Sequence, residues 1–328
     1  MARTTGIKRP DPSRSARRRR LLLVGLFLFF VADIALAAVA LTGTRPPAQE
    51  ASHAVPSAPA QSASPTPTPT LAPTPTVPPV VAVLPTRILV AADASLAWRA
   101  TTGPCPATQA MPQITTDAGA KWTSTNATAP TGIRSLQSIT IEGKQLASMI
   151  GQAAQDCSVQ LVRTFVAGAN YEKYPAALAG SWYVNPLNRA SLHSPAGDFA
   201  APCKSVLTLA HRDATRAAVL CDNQTIYTTT NAAATWSAAS SIPGALNLAP
   251  TAAGFVVAAV GEEKCAGVDI YSIPNANATS ATVIGCLPTD ATPAALSGNV
   301  ALSEAASTLW LWAGQILKRS SDGGITWQ

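Results

Sequence analysis

One eight-residue pattern, Ser/Thr-x-Asp-x-Gly-x-Thr-Trp, recurs through this chain at intervals near 50 residues, and it constrains the fold more than any other feature. Ser320-Ser-Asp322-Gly-Gly324-Ile-Thr326-Trp327 carries it in full. Thr115-Thr-Asp117-Ala-Gly119-Ala-Lys121-Trp122 departs only at Lys121. Thr229-Thr-Asn231-Ala-Ala233-Ala-Thr235-Trp236 has Asn for Asp and Ala for Gly, and Thr164-Phe-Val166-Ala-Gly168-Ala-Asn170-Tyr171 has lost the Asp. A fifth, eroded copy is Ile273-Pro-Asn275-Ala-Asn277-Ala-Thr279. The copies start at 115, 164, 229, 273 and 320, so the spacings are 49, 65, 44 and 47. A fixed period of this size is the signature of stacked supersecondary units. Within each copy a short Asp side chain can bond the turn's own amides, and Gly supplies the positive φ of a tight hairpin.

The segments between the copies are short β-like runs, among them Leu136–Ile141, Ser205–Leu209, Gly254–Val260 and Thr308–Trp312, separated by Gly, Asn, Asp and Pro. The repeat resembles the Asp-box (BNR) motif of sialidase-like β-propellers, over residues 80–328. The resemblance implies an all-β propeller in which each box turn joins the third and fourth strands of a blade, away from the binding face. Thr115, Asp117, Gly119, Trp122, Thr164, Gly168, Tyr171, Thr229, Asn231, Trp236, Ser320, Asp322, Gly324 and Trp327 are then fold residues. Dividing 249 residues among five boxes predicts about five blades. Val80–Leu84 is expected to close the ring beside residues 315–320, because a last blade ending at its box would expose an edge.

The N-terminal quarter is different. Residues 1–20 hold eight of the 23 Lys/Arg against one acid, which leaves 15 basic and 16 acidic groups elsewhere. The basic character therefore belongs to a tail, and nucleic-acid binding by the folded part is not expected. Residues 21–41 are an apolar run with one charge, Asp33, and 14 Leu, Ile, Val or Phe. At ~1.5 Å per residue they span roughly 30 Å, a bilayer core. The cluster Arg17–Arg20 before the run places the N-terminus in the cytoplasm and the rest outside. Ala35-Leu36-Ala37 or Ala38-Val39-Ala40 offers the alternative of a cleaved signal and a secreted domain. Residues 42–79 follow as a Pro/Thr-rich disordered stalk, with eleven prolines in 46–79 that favour extended polyproline II.

Chemistry is sparse in the sequence. Enzymes of the sialidase-like family use an arginine triad, a Tyr/Glu pair and an acid Asp. The nearest counterpart to their first arginine motif is Thr86-Arg87-Ile88-Leu89, which lacks its aromatic and its proline. Arg134, Arg163 and Arg189 are the other candidates for such a triad, and Glu142, Glu172, Glu262, Glu263 and Glu304 show no marked pairing. His193 and His211 have no Cys or carboxylate at ligand spacing. The expectation is no catalytic residue, no metal and no cofactor. The long 65-residue interval contains about 18 extra residues around Trp182 to Pro202, read as an inserted aromatic loop, with Trp182, Tyr183 and Arg189 as candidate ligand-binding residues.

Six cysteines in an exported domain suggest three disulfides, although buried free thiols are the alternative. Cys203 and Cys221 flank a hairpin centred on Arg212, and Cys265 and Cys286 flank one centred on the fifth box, so each pair is expected to bond. Cys105 and Cys157 remain, in equivalent loops of neighbouring blades. All six then cluster opposite the box turns. The sequence thus points to an envelope-anchored propeller, held in the bilayer by residues 21–41, that binds a protein or glycan without catalysis. The alternative is a sialidase-like glycoside hydrolase.

Overall fold

A computed structural model describes residues 83–237, 240–261, 264–274 and 281–328. The apolar run at 21–41 and the stalk at 42–79 lie outside the described residues, as do Glu262, Glu263 and most of the fifth box. Among the described residues no helix is long and apolar enough to cross a membrane.

The chain forms a β-propeller of six blades. Blade 1 is β1 (Arg87–Ala91), β2 (Ala97–Thr101), β3 (Gln113–Thr115) and β4 (Thr123–Ser124). Blade 2 is β5 (Ile133–Ile141), β6 (Ala147–Ala153), β7 (Val159–Thr164) and β8 (Glu172–Lys173). Blade 3 has three strands, β9 (Tyr183–Val184), β10 (Ser191–Ser194) and β11 (Gly197–Ala200). Blade 4 is β12 (Val206–His211), β13 (Ala217–Cys221), β14 (Thr225–Thr229) and β15 (Ser240–Ser241). Blade 5 is β16 (Ala245–Pro250), β17 (Gly254–Val260), β18 (Gly267–Pro274) and β19 (Thr282–Pro288). Blade 6 is β20 (Val300–Ala305), β21 (Thr308–Ala313) and β22 (Ile316–Ser320).

The count of five is corrected to six, and the reason is local. The stretch around Trp182 to Pro202 is not an inserted loop but blade 3 itself. Its outer turn has shrunk to the hairpin Ser194–Gly197, which keeps the hydroxyl residue and loses the rest of the box. Ser194 Oγ bonds Ala232 O of blade 4 (2.8 Å), so the hydroxyl still ties this turn to its neighbour.

The box turns are built as their residue types dictate. In the first, Gly119 N–H donates to Thr115 Oγ1 (3.0 Å) and Lys121 N–H to Asp117 Oδ1 (2.9 Å). In the last, Gly324 N–H donates to Ser320 Oγ (2.7 Å) and Thr326 N–H to Asp322 Oδ1 (2.9 Å). Asn231 takes the Asp role in the third, accepting from Thr235 N–H (2.9 Å). Val166 cannot take it, and the turn keeps only the bonds to the hydroxyl, from Gly168 N–H (2.8 Å) and Val166 N–H (3.3 Å) to Thr164 Oγ1. Each box aromatic packs sideways: Trp327 Nε1 donates to Cys286 O of blade 5 (2.8 Å), and Tyr171 Oη contacts Thr125 Oγ1 of blade 1 (2.6 Å).

Two consequences are measurable. Ala233 holds φ +72 where Gly119, Gly168 and Gly324 hold +87, +88 and +100. A Cβ in this region costs about 1–2 kcal/mol, so Ala233→Gly should raise stability by about 1 kcal/mol, read as a higher denaturant midpoint at constant slope. The second concerns acid. Amide and hydroxyl donors hold four turn carboxyls below the usual range: Leu96 N–H at Asp93, Lys121 N–H at Asp117, Thr215 N–H at Asp213 and the Ser320 hydroxyl at Asp322. A depressed folded-state value gives stability that is present above the unfolded value, about 3.9, and lost as pH falls below it. The melting temperature should therefore fall steadily as pH drops below about 4. A flat profile between pH 5 and pH 2.5 would contradict the role given to these turns.

Ring closure also differs from expectation. Val83 and Leu84 lie in no strand, and Thr86 N–H bonds Gly298 O (2.7 Å), just before the innermost strand of blade 6. Residues 80–82 lie outside the described residues. The outer edge of β22 is met instead by Gln328, whose N–H and C=O both pair with Arg319 (2.9 and 3.1 Å). Blades 6 and 1 join through their faces. Ala91 N–H donates to Ser303 Oγ (2.9 Å), Trp310 Nε1 to Asp93 O (3.0 Å) and an Arg319 guanidinium N–H to Ala94 O (2.8 Å). Arg99 lies between the rings of Trp122 (4.1 Å) and Trp312 (4.9 Å), and Arg87 covers Trp312 (4.3 Å). A buried apolar seam with polar ties makes a shared closing strand unnecessary.

Candidate functional site

The first strands of blades 1, 2, 4, 5 and 6 line a central channel of about 1170 Å³, and blade 3 contributes Trp182, Tyr183, Val184, Pro186, Leu187 and Arg189. The two ends differ. The first hairpin and the box turn of a blade share one end, since Ala118 N–H bonds Ser95 O (3.0 Å), Ala167 N–H bonds Gln145 O (2.8 Å) and Ala232 N–H bonds Thr215 O (2.8 Å). Asp93, Glu142, Lys144, His211 and Glu304 line the channel at this box end. The opposite end is lined by the uncharged Thr102 to Cys105 and Ser135 to Ser138, together with Arg87 at the start of β1 and Arg189 at the start of β12.

Three disulfides form, Cys105–Cys157, Cys203–Cys221 and Cys265–Cys286; the first two lie at the end opposite the boxes, whereas Cys286 meets the last box, its N–H donating to Gly324 O (3.1 Å). The second bridges the start of β12 to the end of β13, and the third ties the approach to β18 to β19. Both follow from strands that run antiparallel side by side. Cys105–Cys157 joins the β2–β3 loop of blade 1 to the β6–β7 loop of blade 2 and borders the channel.

The four arginines considered for a triad occupy four separate environments. Arg87 lies on Trp312 and donates to Gly314 O. Arg163 bonds Ser148 Oγ (2.9 Å) and pairs with Glu142 (3.4 Å). Arg189 donates to Val206 O (2.7 Å) and Leu207 O (3.0 Å), and burial lowers its pKa. Arg134 bridges to Gln109 through the main chain. Glu172 is exposed beside Tyr174, whereas Glu304 is half-buried and pushed up by burial. Burial lowers His211, with Asp213 opposing. His193 stacks on Tyr183 (4.7 Å) and sits between Asp198 Oδ1 (2.7 Å) and Ala179 O (3.2 Å). Among the described residues no three His, Cys, Asp or Glu side chains gather as a metal site would require.

Of the three binding candidates, Trp182 and Arg189 are engaged in holding blade 3 to blade 4. Trp182 is buried, and its Nε1 donates to Asp213 O (2.9 Å). That bond has a close counterpart. Trp310, in the second strand of blade 6, donates to Asp93 O in the first hairpin of blade 1, and Asp213 lies in the first hairpin of blade 4. The hairpins match in sequence, Asp93-Ala-Ser95 and Asp213-Ala-Thr215, and each Asp accepts from the backbone two and three residues on. Trp182-Tyr183-Val184 therefore corresponds to Trp310-Leu311-Trp312, and β9 corresponds to a second strand. Blade 3 has no first strand.

The sequence analysis did not anticipate two further features. β5 is bulged, with Ser135, Leu136 and Gln137 between the partners of Gln152 and Ile150. Ser135 is buried at φ +38, and neither its Oγ nor Gln137 Nε2 has a hydrogen-bond partner. Gly151 permits the bulge, because a Cβ there would meet Arg134 O at 2.6 Å. Across the channel, at the bulge that starts β12, Thr208 Oγ1 is likewise buried without a partner. Buried unpaired polar atoms and bulges both concentrate at working sites.

No family model and no curated protein matches the chain. Similar solved structures are propellers. YCF48 bound to D1 peptide covers 77% of this chain and 82% of its own, at 16% identity and a TM-score of 0.38. YCF48 from Cyanidioschyzon merolae covers 76% and 86%, at 14% identity and 0.38. The Hadza microbial sialidase Hz136 covers 74% and 57%, at 10% identity and 0.36.

Proposed function

We propose that this chain is a membrane-anchored extracytoplasmic propeller that captures a protein or glycan ligand in its channel and does not transform it. One observation carries this reading. The channel is wide, and the arginines near it, Arg87, Arg163 and Arg189, are tied to Trp312, Glu142 and the start of β12 rather than gathered on one point. A binding pocket of this kind is mostly neutral, with a few convergent polar groups. The anchor in the reading is the apolar run 21–41 with its basic flank, and the box residues act as turn builders on the far end.

The test uses the full chain in detergent micelles, presented to peptide and glycan arrays and, separately, to a fluorogenic sialoside. Retention of a ligand without turnover is the expected result. Sialoside hydrolysis above the solvent rate would replace this reading with the glycosidase one. Membrane pellets washed with alkaline carbonate should retain the chain. Its appearance in the medium would mean a cleaved signal.

A further inference from the structure

From the missing first strand of blade 3, we infer that the channel takes an extended polypeptide segment, which adds to β9 and completes that blade. This rests on the binding reading above and names its ligand class.

Three independent features converge on the vacancy. First, β9 ends its sheet on the channel side, in the order β11-β10-β9. Asn185 N–H bonds Ser191 O (3.0 Å), so the alternation of an antiparallel ladder turns the N–H and C=O of Val184 away from β10 and into the channel. Val184 lines the channel and is only 4% exposed, and a main-chain donor and acceptor in such a place call for partners. Second, apolar clusters seal five of the six blade junctions, and among the described residues the junction between blades 2 and 3 has none. That junction is bridged instead by the short helix Pro175–Gly180, which packs on β7 and whose Ala179 O meets His193 Nε2 (3.2 Å). Third, the two walls of that gap, β5 and β12, carry the unpartnered Gln137 Nε2 and Thr208 Oγ1. Both residues line the channel that such a segment would enter.

The chemistry selects a peptide over a glycan. Val184 offers a donor and an acceptor on one strand edge, which a second polypeptide strand meets with its own C=O and N–H. Sugar recognition favours an open aromatic face. Here Trp182 is buried and His193 covers one face of Tyr183. The missing strand corresponds to Ala301–Ser303 of blade 6, which pair with Trp312 to Trp310, so a core of three ligand residues spans β9. At the adjacent end of the channel the charged side chains are Arg87 and Arg189, both committed to main-chain carbonyls of the propeller, so an uncharged segment fits.

The experiment selects decapeptides from a phage-displayed random library on the full chain in micelles and measures their affinities as synthetic peptides. Val184→Pro removes only the channel-facing N–H, because the ladder to β10 uses Tyr183. Binding should weaken at least tenfold in Val184→Pro and stay unchanged in Val283→Ala on the exposed β19. Methylating the peptide nitrogens one at a time removes any dependence on how the variant folds. Alternate positions should lose binding at least tenfold and the positions between them less than twofold. Selected peptides that tolerate every N-methylation, or a library that yields no binder, overturn the inference. If oligosaccharides on the glycan array bind and peptides do not, the inference falls while the binding reading stands. If neither class binds, both fall.

Discussion

Trp310→Ala should lower stability by about 3–5 kcal/mol, the range for removing a large aromatic from a packed core. Trp310 is fully buried where blades 6 and 1 meet, against Leu89, Ala91, Ala97 and Ala301. Its indole also satisfies Asp93 O, so truncation leaves a cavity and an unpaired carbonyl together. A domain of this size typically shifts by roughly 2–4 °C per kcal/mol, so the melting temperature should drop by about 10 °C or more. Trp312 is half-buried and works mainly by stacking on Arg87 and Arg99, so Trp312→Ala should cost less. Equal losses for the two would mean that the seam is not held at Trp310.

Joint replacement of Cys105 and Cys157 by serine should be the costliest disulfide loss. The two are 52 residues apart, against 18 and 21 for the other pairs. Chain entropy alone assigns about 4 kcal/mol to the long loop and about 3 to each short one. Only the long one joins two blades, so its loss also frees the β2–β3 loop beside the channel. Urea midpoints of the three double-serine variants under oxidising conditions measure the order. A Cys105/Cys157 variant more stable than the other two would refute it.

The propeller and its repeat were readable because the box motif is local. Thr115, Asp117 and Gly119 make their bonds within five residues, so the residue types alone specify the turn. The cysteine pairs followed from where strands begin and end. Blade 3 was not readable, because its turn retains only Ser194 and Gly197, too little to register as a copy. The real signal lay elsewhere, in Asp93-Ala-Ser95 and Asp213-Ala-Thr215, whose likeness marks two first hairpins and makes Trp182 a counterpart of Trp310. Closure was misread because edge protection was assumed to need a strand. Face packing by Trp310, Arg99 and Trp122 is a long-range matter that no short motif displays. The channel groups Ser135, Gln137 and Thr208 are ordinary polar residues in strands, and only burial without partners distinguishes them.

The seam between blades 6 and 1 also decides how this molecule bears load. The chain enters β1 through Thr86, which is bonded to Gly298, so tension arriving from the N-terminal side acts first on β1 and on the joint it makes with β20. Among the described residues no strand is shared across that joint, and a peeling force meets its contacts one after another rather than together. The Cys105–Cys157 link lies a short way further along the chain and is covalent. Once β1 and β2 had been drawn out, the load would pass through this link into the β6–β7 loop of blade 2, and residues 106–156 between the two cysteines would be shielded from it. The propeller thus has a weak first latch at β1, followed by a covalent shortcut that carries tension past most of blade 2.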